Sequence, residues 1–494
     1  MYKDISLAEL DKIVANSWDA FLSFRKTSPA IRANLMRAIA TELENCGDEL
    51  IHLAMKETNL PELRLRNEKG RTIFQLNQYA EACAQGSWME VRIDTAVPDK
   101  APPKPDIRKM MVPVGPVVVF GASNFPFAYS TAGGDTATAI AAGCPVIVKA
   151  HPAHPGTSLM VSNAIQKALQ TCGLSEHIFQ HVFGASFEVG KALVQHPKVF
   201  AVGFTGSFKG GKQLYDWAQE RKDPIPVFAE MGSVNPIFLL PEQLNQKAGD
   251  LATQIAGSIT LGVGQFCTNP GLIIGIEGEP LQNFMHDLGK AIQQASPGNM
   301  LHQGIADAYR ANKSEALLQE NVHLIAESEI ASAEGQGQPT IATTSGANFL
   351  ANPLLHQEVF GPYSLVIVCK NAAEMLAVAQ SLEGQLTTTL MATENDLLAH
   401  QSLVDQVELL CGRIVYNGVP TGVEVCLSMQ HGGPFPSSTD GRFGSVGADA
   451  IKRFIRPLAY QNCADTYLPD ALKNENLLNI PRTINNVLTY EAIS

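Results

Sequence analysis

Cys267 stands in Gly264-Gln-Phe-Cys-Thr-Asn-Pro270, and Glu230 lies upstream in Ala229-Glu-Met-Gly-Ser233. A thiol attacks only as thiolate, so a catalytic cysteine needs partial exposure, nearby N–H dipoles or positive charge, and a group that takes or relays its proton. Glycines 262, 264 and 271 flank this cysteine and permit close backbone approach. Together the two residue types look like a nucleophile with a base. A free cysteine is more often a small buried hydrophobe, so the weight rests on what accompanies it.

Several other residues occupy places where ligands meet α/β sheets. Asn124 in Gly121-Ala-Ser-Asn-Phe-Pro-Phe127 follows an apolar run, and its side-chain amide could donate to an oxyanion. Lys149 ends the run Val146-Ile-Val148 and could reach a ribose or phosphate. Phe204-Thr-Gly206-Ser207, with Gly210 and Gly211, is a strand-to-helix junction whose bare amides could face a phosphate. Glu358 in Gln357-Glu-Val-Phe-Gly-Pro362 could accept from ribose hydroxyls beside an apolar wall at Phe360. No Gly-x-Gly-x-x-Gly after the first strand, no Walker loop and no Gly-x-Ser-x-Gly elbow occurs. His151 and His154 have a tempting spacing, but prolines break the helix that would align them and a third ligand is lacking, so no metal is expected.

These residues need a scaffold that brings distant segments together. Helical periodicity runs over residues 7–85, as in Ile31, Leu35, Ile39 and Leu43. Two short alternating segments within 89–112 flank the prolines between Pro98 and Pro105, which suits a protruding two-stranded flap. From 113 apolar strands alternate with helices: strands at 116–120, 146–148, 178–183 and 201–204, helices at 131–142, 157–171 and from 209. Such runs imply a parallel sheet covered on both faces. The alternation resumes over 235–430, with strands expected at 236–240, 271–276, 364–368, 386–391 and 413–416. The loop-rich tail, with Gly432-Gly-Pro-Phe-Pro436, is expected to wrap back over earlier elements.

Bulk properties narrow the partners. A chain of 494 residues needs more than one core. Its 45% hydrophobic and 17% charged residues describe a globular protein, and 36 basic against 48 acidic residues give a net charge of −12. That field attracts neither nucleic acid nor anionic lipid, so a small-molecule ligand is expected. Nine cysteines without a Cys-x-x-Cys pair make neither a disulfide framework nor a zinc ribbon. No apolar run reaches a membrane span and the N-terminus has no signal-peptide pattern, so a cytoplasmic, soluble protein is expected.

Taken in order, Ser-Asn-Phe-Pro, Gly-Cys-Pro-Val-Ile-Val-Lys, Gly-Phe-Thr-Gly-Ser, Ala-Glu-Met-Gly-Ser-Val-Asn-Pro, Gly-Gln-Phe-Cys-Thr-Asn-Pro and Glu-Val-Phe-Gly-Pro resemble the aldehyde dehydrogenase superfamily from about residue 10 to 465. The resemblance implies an α/β fold with two Rossmann-like domains and a small β-flap for oligomerisation. Its expected parts are a helical N-terminal part of the cofactor domain at 1–88, the flap at 89–112, an NAD(P)-binding domain at 113–232, a catalytic domain at 233–430 and a returning segment at 431–494. It implies Cys267 as nucleophile and Glu230 as the base for the deacylating water, with Asn124 and the Cys267 N–H as oxyanion donors. Lys149 and Glu358 would hold the two riboses, with Gly206, Ser207 and Gly211 at the pyrophosphate and Phe360 beside them. A homodimer or homotetramer is implied.

The chain departs from the family pattern in two places. Gly232-Ser233-Val234 replaces the usual Gly-Gly-Lys after the glutamate. Pro152 stands where many NAD-preferring members carry a glutamate for the 2′-hydroxyl, which favours NADP, whereas Glu188 would repel a 2′-phosphate; the balance leans to NADP over NAD. The segments 133–139, 151–157 and 431–436 most resemble a branch with α-ketoglutaric semialdehyde dehydrogenases and NADP-dependent fatty aldehyde dehydrogenases. The first substrate, 2,5-dioxopentanoate, requires a cation in the tunnel; the second requires apolar walls such as Phe125, Phe127, Tyr129 and Phe266. A cysteine hydrolase without redox cofactor is the rival of another class, and it requires a histidine beside Cys267.

Overall fold

The computed structural model describes residues 2–493. Its N-terminal helices, Leu7–Phe24, Pro29–Asn45, Gly47–Thr58 and Glu62–Gln85, begin and end where local chemistry demands. Ser6 and Glu9 form a capping box, Ser28 caps a helix that starts on Pro29, and Asn59 terminates the third in the left-handed region ahead of Pro61.

The apolar runs between 117 and 230 form a parallel sheet in the order Phe179–Val182, Val146–Lys149, Val117–Phe120, Ala201–Thr205 and Val227–Glu230. The chain winds outward from the central strand in one direction and then crosses to the other side. That reversal creates a crevice at the carboxyl ends of the strands, where ligands of such sheets bind. Register places Phe120 level with Lys149 and Phe204, and Thr205 level with Glu230. Asn124, Lys149, Gly206 and Glu230 therefore follow or end neighbouring strands on one edge. The strand Val227–Glu230 has no counterpart in the sequence reading because its run is short and interrupted by proline just upstream.

A second sheet has the order His323–Glu327, Thr340–Ser345, Tyr363–Cys369, Leu272–Ile276, Ile237–Leu239, Gln385–Met391 and Cys411–Tyr416. It is parallel except at its first strand. Its middle is a continuous apolar layer, with Ile237, Phe238, Ile273, Ile274, Val366 and Ile367 removed from solvent.

Arg92–Asp94 and Ile107–Pro113 pair antiparallel, but the flap is larger than two strands. Ile455–Gln461 joins along Ile107–Pro113, and Arg482–Ile484 with Val487–Thr489 extends the other side. The returning tail is anchored by a buried ion pair: Arg453 Nη1 lies 2.7 Å from Asp135 Oδ1, and its Nη2 donates to Thr138. Within the described residues no helix is long and apolar enough to cross a membrane.

Candidate active site

Cys267 follows a turn of left-handed backbone. Gly262, Val263 and Gly264 have φ of 56°, 59° and 64°. Such angles suit glycine and strain a β-branched valine, so the surrounding structure must hold this turn. The Gly264 α-carbon faces the backbone of Gly361 and Pro362, leaving no room for a side chain. This contact joins the cysteine loop to the segment bearing Glu358.

Behind the cysteine, Asn235 Nδ2 donates to the Cys267 carbonyl at 2.8 Å and to the Asn269 carbonyl at 2.9 Å. Ser233 Oγ lies 2.8 Å from Gln385 Oε1 and 3.0 Å from Asn235 Oδ1, with one proton to donate between them, and accepts from Leu386 N at 3.0 Å. The departure at 232–234 thus has a structural use: the Ser233 hydroxyl ties the turn after Glu230 to the strand Gln385–Met391.

The half-buried Cys267 Sγ lies 3.5 Å from His431 Nε2, and that nitrogen lies 2.9 Å from Glu230 Oε1. Ser445 donates to Glu230 Oε2 at 2.7 Å. Burial raises the Glu230 pKa, but His431 and Ser445 more than offset it and hold the carboxyl below its usual range. Burial, and next the Glu230 charge, push the Cys267 thiol well above its ordinary range, with Arg71 opposing. The resting centre therefore holds a neutral thiol beside an ionised carboxylate, with an imidazole between them.

His431 is the functional residue missed from sequence, where its Gly-Gly-Pro-Phe-Pro context served only as a marker of resemblance. The segment around it reaches the site by pairing Ser438 with Glu230 and by the Met231 N–H donating to Ser437. The donor atoms of Glu230, Cys267 and His431 lie within 4.8 Å of one another, a set that could also ligate a divalent ion. His151 and His154 do not form such a set: their rings stack 5.5 Å apart and His154 Nε2 meets the Ala122 carbonyl at 2.9 Å.

Asn124 Nδ2 donates to the Gln265 carbonyl at 3.1 Å, which sets the amide beside the cysteine loop and leaves its second N–H for a ligand. Two residues of the helix Glu62–Gln85 hold this loop. Arg64 Nη2 donates to the Asn124 carbonyl at 2.7 Å, and Glu68 Oε1 accepts from the Phe127 and Ala128 amides at 2.8 and 3.0 Å.

The cofactor positions look different. Lys149 and Glu358 have no ion-pair partner within 4 Å among the described residues, and burial lowers the lysine's pKa. Burial pushes the Glu358 carboxyl up to about 7, opposed by the Ser233 amide. Its carboxylate rests against Gly232, where a side chain would collide with it. Ser207 Oγ caps the helix Phe208–Gln219 by accepting from Gly210 N at 3.2 Å, and Gly206 and Ser207 are exposed. A Cβ at Gly211 would lie 2.7 Å from Met231, so this glycine permits helix–sheet contact rather than facing solvent. Phe360 is half-buried between Glu358 and the strand Tyr363–Cys369. An unpaired cation, an unpaired carboxylate and an exposed helix N-terminus fit a ligand with phosphates and ribose hydroxyls.

Comparison with known proteins agrees with this geometry. Residues 2–457 match the model of the aldehyde dehydrogenase family. The chain is 46% identical over 476 residues to alpha-ketoglutaric semialdehyde dehydrogenase 2 of Azospirillum brasilense, covering 96% of this chain and 91% of that one. It is 43% identical over 491 residues to alpha-ketoglutaric semialdehyde dehydrogenase of Acinetobacter baylyi, covering 99% and 93%. Among solved structures, glyceraldehyde-3-phosphate dehydrogenase GapN of Methanocaldococcus jannaschii, complexed with NADP, superposes with a TM-score of 0.77 at 20% identity, over 93% of this chain and 95% of that one.

Proposed function

From the premise that this chain belongs to the aldehyde dehydrogenase family and oxidises an aldehyde to its acid with NAD(P), we propose that its substrate is α-ketoglutaric semialdehyde, 2,5-dioxopentanoate, or a closely related carboxylated aldehyde. The two named relatives act on that compound by their printed names.

The observation that carries the mechanism is the contact chain Cys267–His431–Glu230. With its proton on Nδ1, His431 offers a bare Nε2 that takes the thiol proton, and the Glu230 carboxylate 2.9 Å from that nitrogen stabilises the imidazolium that forms. The sulfur then attacks the aldehyde carbon, and the resulting oxyanion lies beside the free N–H of Asn124 and the Cys267 amide. NAD(P), when bound, supplies the hydride acceptor that turns the thiohemiacetal on Cys267 into a thioester. Lys149 and Glu358 would hold its riboses, with Gly206 and Ser207 at the pyrophosphate. Water is then deprotonated through the same Glu230–His431 pair, and the acid leaves. His431, in contact with both the thiol and Glu230, is placed to carry that proton. The cysteine-hydrolase reading also requires a histidine at the thiol, but it leaves the unpaired Lys149 and Glu358 without a use.

The cleanest test is stopped-flow absorbance of the reduced cofactor. Cys267→Ala should abolish turnover, and Glu230→Gln should give a burst and then stall; steady multiple turnover by either variant would remove that residue from the scheme.

Self-association as a dimer or tetramer fits the flap, whose edge strand exposes Val487 at 64% and Leu488 at 69%. Leu488→Asp should lower the mass seen by light scattering, and an unchanged mass would place the interface elsewhere.

A further inference from the structure

The helix Glu62–Gln85 carries Arg64, Glu68 and Arg71 at spacings of four and three residues, which puts them on one face. That face meets the aromatic cluster of Phe125, Tyr129 and Phe266, the last being the residue before the nucleophile. The Arg64 guanidinium lies 4.9 Å from the Phe125 ring centre and 4.5 Å from that of Phe266. Arg71 lies 5.3 Å from the Tyr129 ring and donates to its hydroxyl at 2.9 Å. Tyr129 in turn lies 5.9 Å from the His431 ring. On the strand Cys411–Tyr416, Arg413 donates to the Pro420 and Gly422 carbonyls, with Nη1 3.9 Å from the Met429 sulfur, which packs on the same cluster.

None of these three arginines makes an ion pair within 4 Å among the described residues. Arg64 Nη1 is buried without a hydrogen-bond partner, as are Nε of Arg71 and Nε of Arg413. Glu68 spends one oxygen on backbone amides, and burial raises its pKa, so it is a weak counter-charge. Burial lowers the proton affinity of Arg64 and Arg413, while at Arg71 burial is outweighed by Tyr129 and Glu68. Gly262 leaves the space for this arrangement: a Cβ there would come within 2.7 Å of both Arg64 Nη1 and the Phe266 ring. Three unpaired cations beside aromatic walls suit a short apolar chain that ends in an anion, and suit an uncharged fatty chain poorly.

We propose that Arg64 and Arg71 bind the carboxylate end of the aldehyde substrate, with Arg413 adding positive potential from its strand. This rests on the carboxylated-aldehyde reading above and names the residues that would make it specific. Planar guanidinium groups can grip a carboxylate with two donors, and Arg64 Nη1 has no other acceptor.

The test compares kcat/KM for 2,5-dioxopentanoate, 5-oxopentanoate and pentanal at saturating cofactor. All three have the same carbon count, so the ratio of 5-oxopentanoate to pentanal isolates the carboxylate. The native enzyme should favour 5-oxopentanoate. Arg64→Met and Arg71→Met should each lower that ratio by about 10- to 100-fold, the range expected for losing a hydrogen bond to a charged group, mainly through KM. Arg64→Lys and Arg71→Lys should recover part of it. A native enzyme indifferent to the carboxylate would sink the substrate reading and this assignment with it. A native preference that survives both Met variants, or equal losses on both aldehydes, would overturn the arginine assignment alone.

Discussion

The two sides of the crevice are finished to different degrees. On the nucleophile side, Cys267, His431, Glu230 and Ser445 are already in mutual contact at 2.7–3.5 Å. On the cofactor side, Lys149 and Glu358 make no ion pair within 4 Å among the described residues, and Ser207 serves only its own helix. A protonic relay has to be assembled before substrate arrives, because its geometry sets the proton's path. A binding surface gains by leaving charges unpaired, because the ligand then supplies the missing partners and the difference appears as affinity.

This contrast can be broken first at His431. His431→Asn keeps a polar group next to Glu230 but removes the proton carrier, and should lower kcat by about 10²- to 10⁴-fold. The burst of reduced cofactor should slow as well, since thiolate formation depends on the same imidazole; an unchanged burst rate would detach the histidine from the thiol.

A smaller effect should appear on the cofactor side. In the proposed role, ribose hydroxyls would donate to the ionised form of Glu358, whose carboxyl burial pushes up to about 7. Below that pH the neutral acid lacks its charge, so cofactor affinity should rise as pH rises through about 7 and then level off. Glu358→Gln should flatten the profile, as read by fluorescence quenching across that range. An unaltered slope in the variant would assign the titration to another group.

The smallest effect concerns the 2′ position. Asp4 accepts from the Ala185 and Ser186 amides at 2.8 and 3.1 Å and acts electrostatically on Lys149. Pro152 offers no carboxylate, so Asp4 is the acid whose charge acts on Lys149. Asp4→Asn should raise the NADP/NAD ratio of kcat/KM by a few fold, the small effect expected of an exposed, screened charge. A ratio that stays constant would free Asp4 from any part in cofactor choice.

How much of this was legible beforehand differs by region. The parallel strands from Val117 to Thr205 were readable because buried strands need unbroken apolar runs, and boundaries moved by only a few residues. Val227–Glu230 was not, since four residues after a proline carry little periodic signal. The flap was read as two strands, because its other three come from a tail whose pairing is invisible until the chain folds back.

At the site, the residue types of Cys267, Glu230, Asn124, Lys149 and Glu358 pointed to thiol and nucleotide chemistry only in combination, through the order of the motifs that carry them. Chemical identity is carried by each side chain, and glycine and proline punctuation places such groups at strand ends. What only tertiary structure decided is adjacency across long separations: His431 at the thiol, Ser233 bonded to the strand Gln385–Met391, and three arginines around one aromatic cluster. Local propensity cannot encode those meetings, because they follow from how two sheets and a returning tail pack in space.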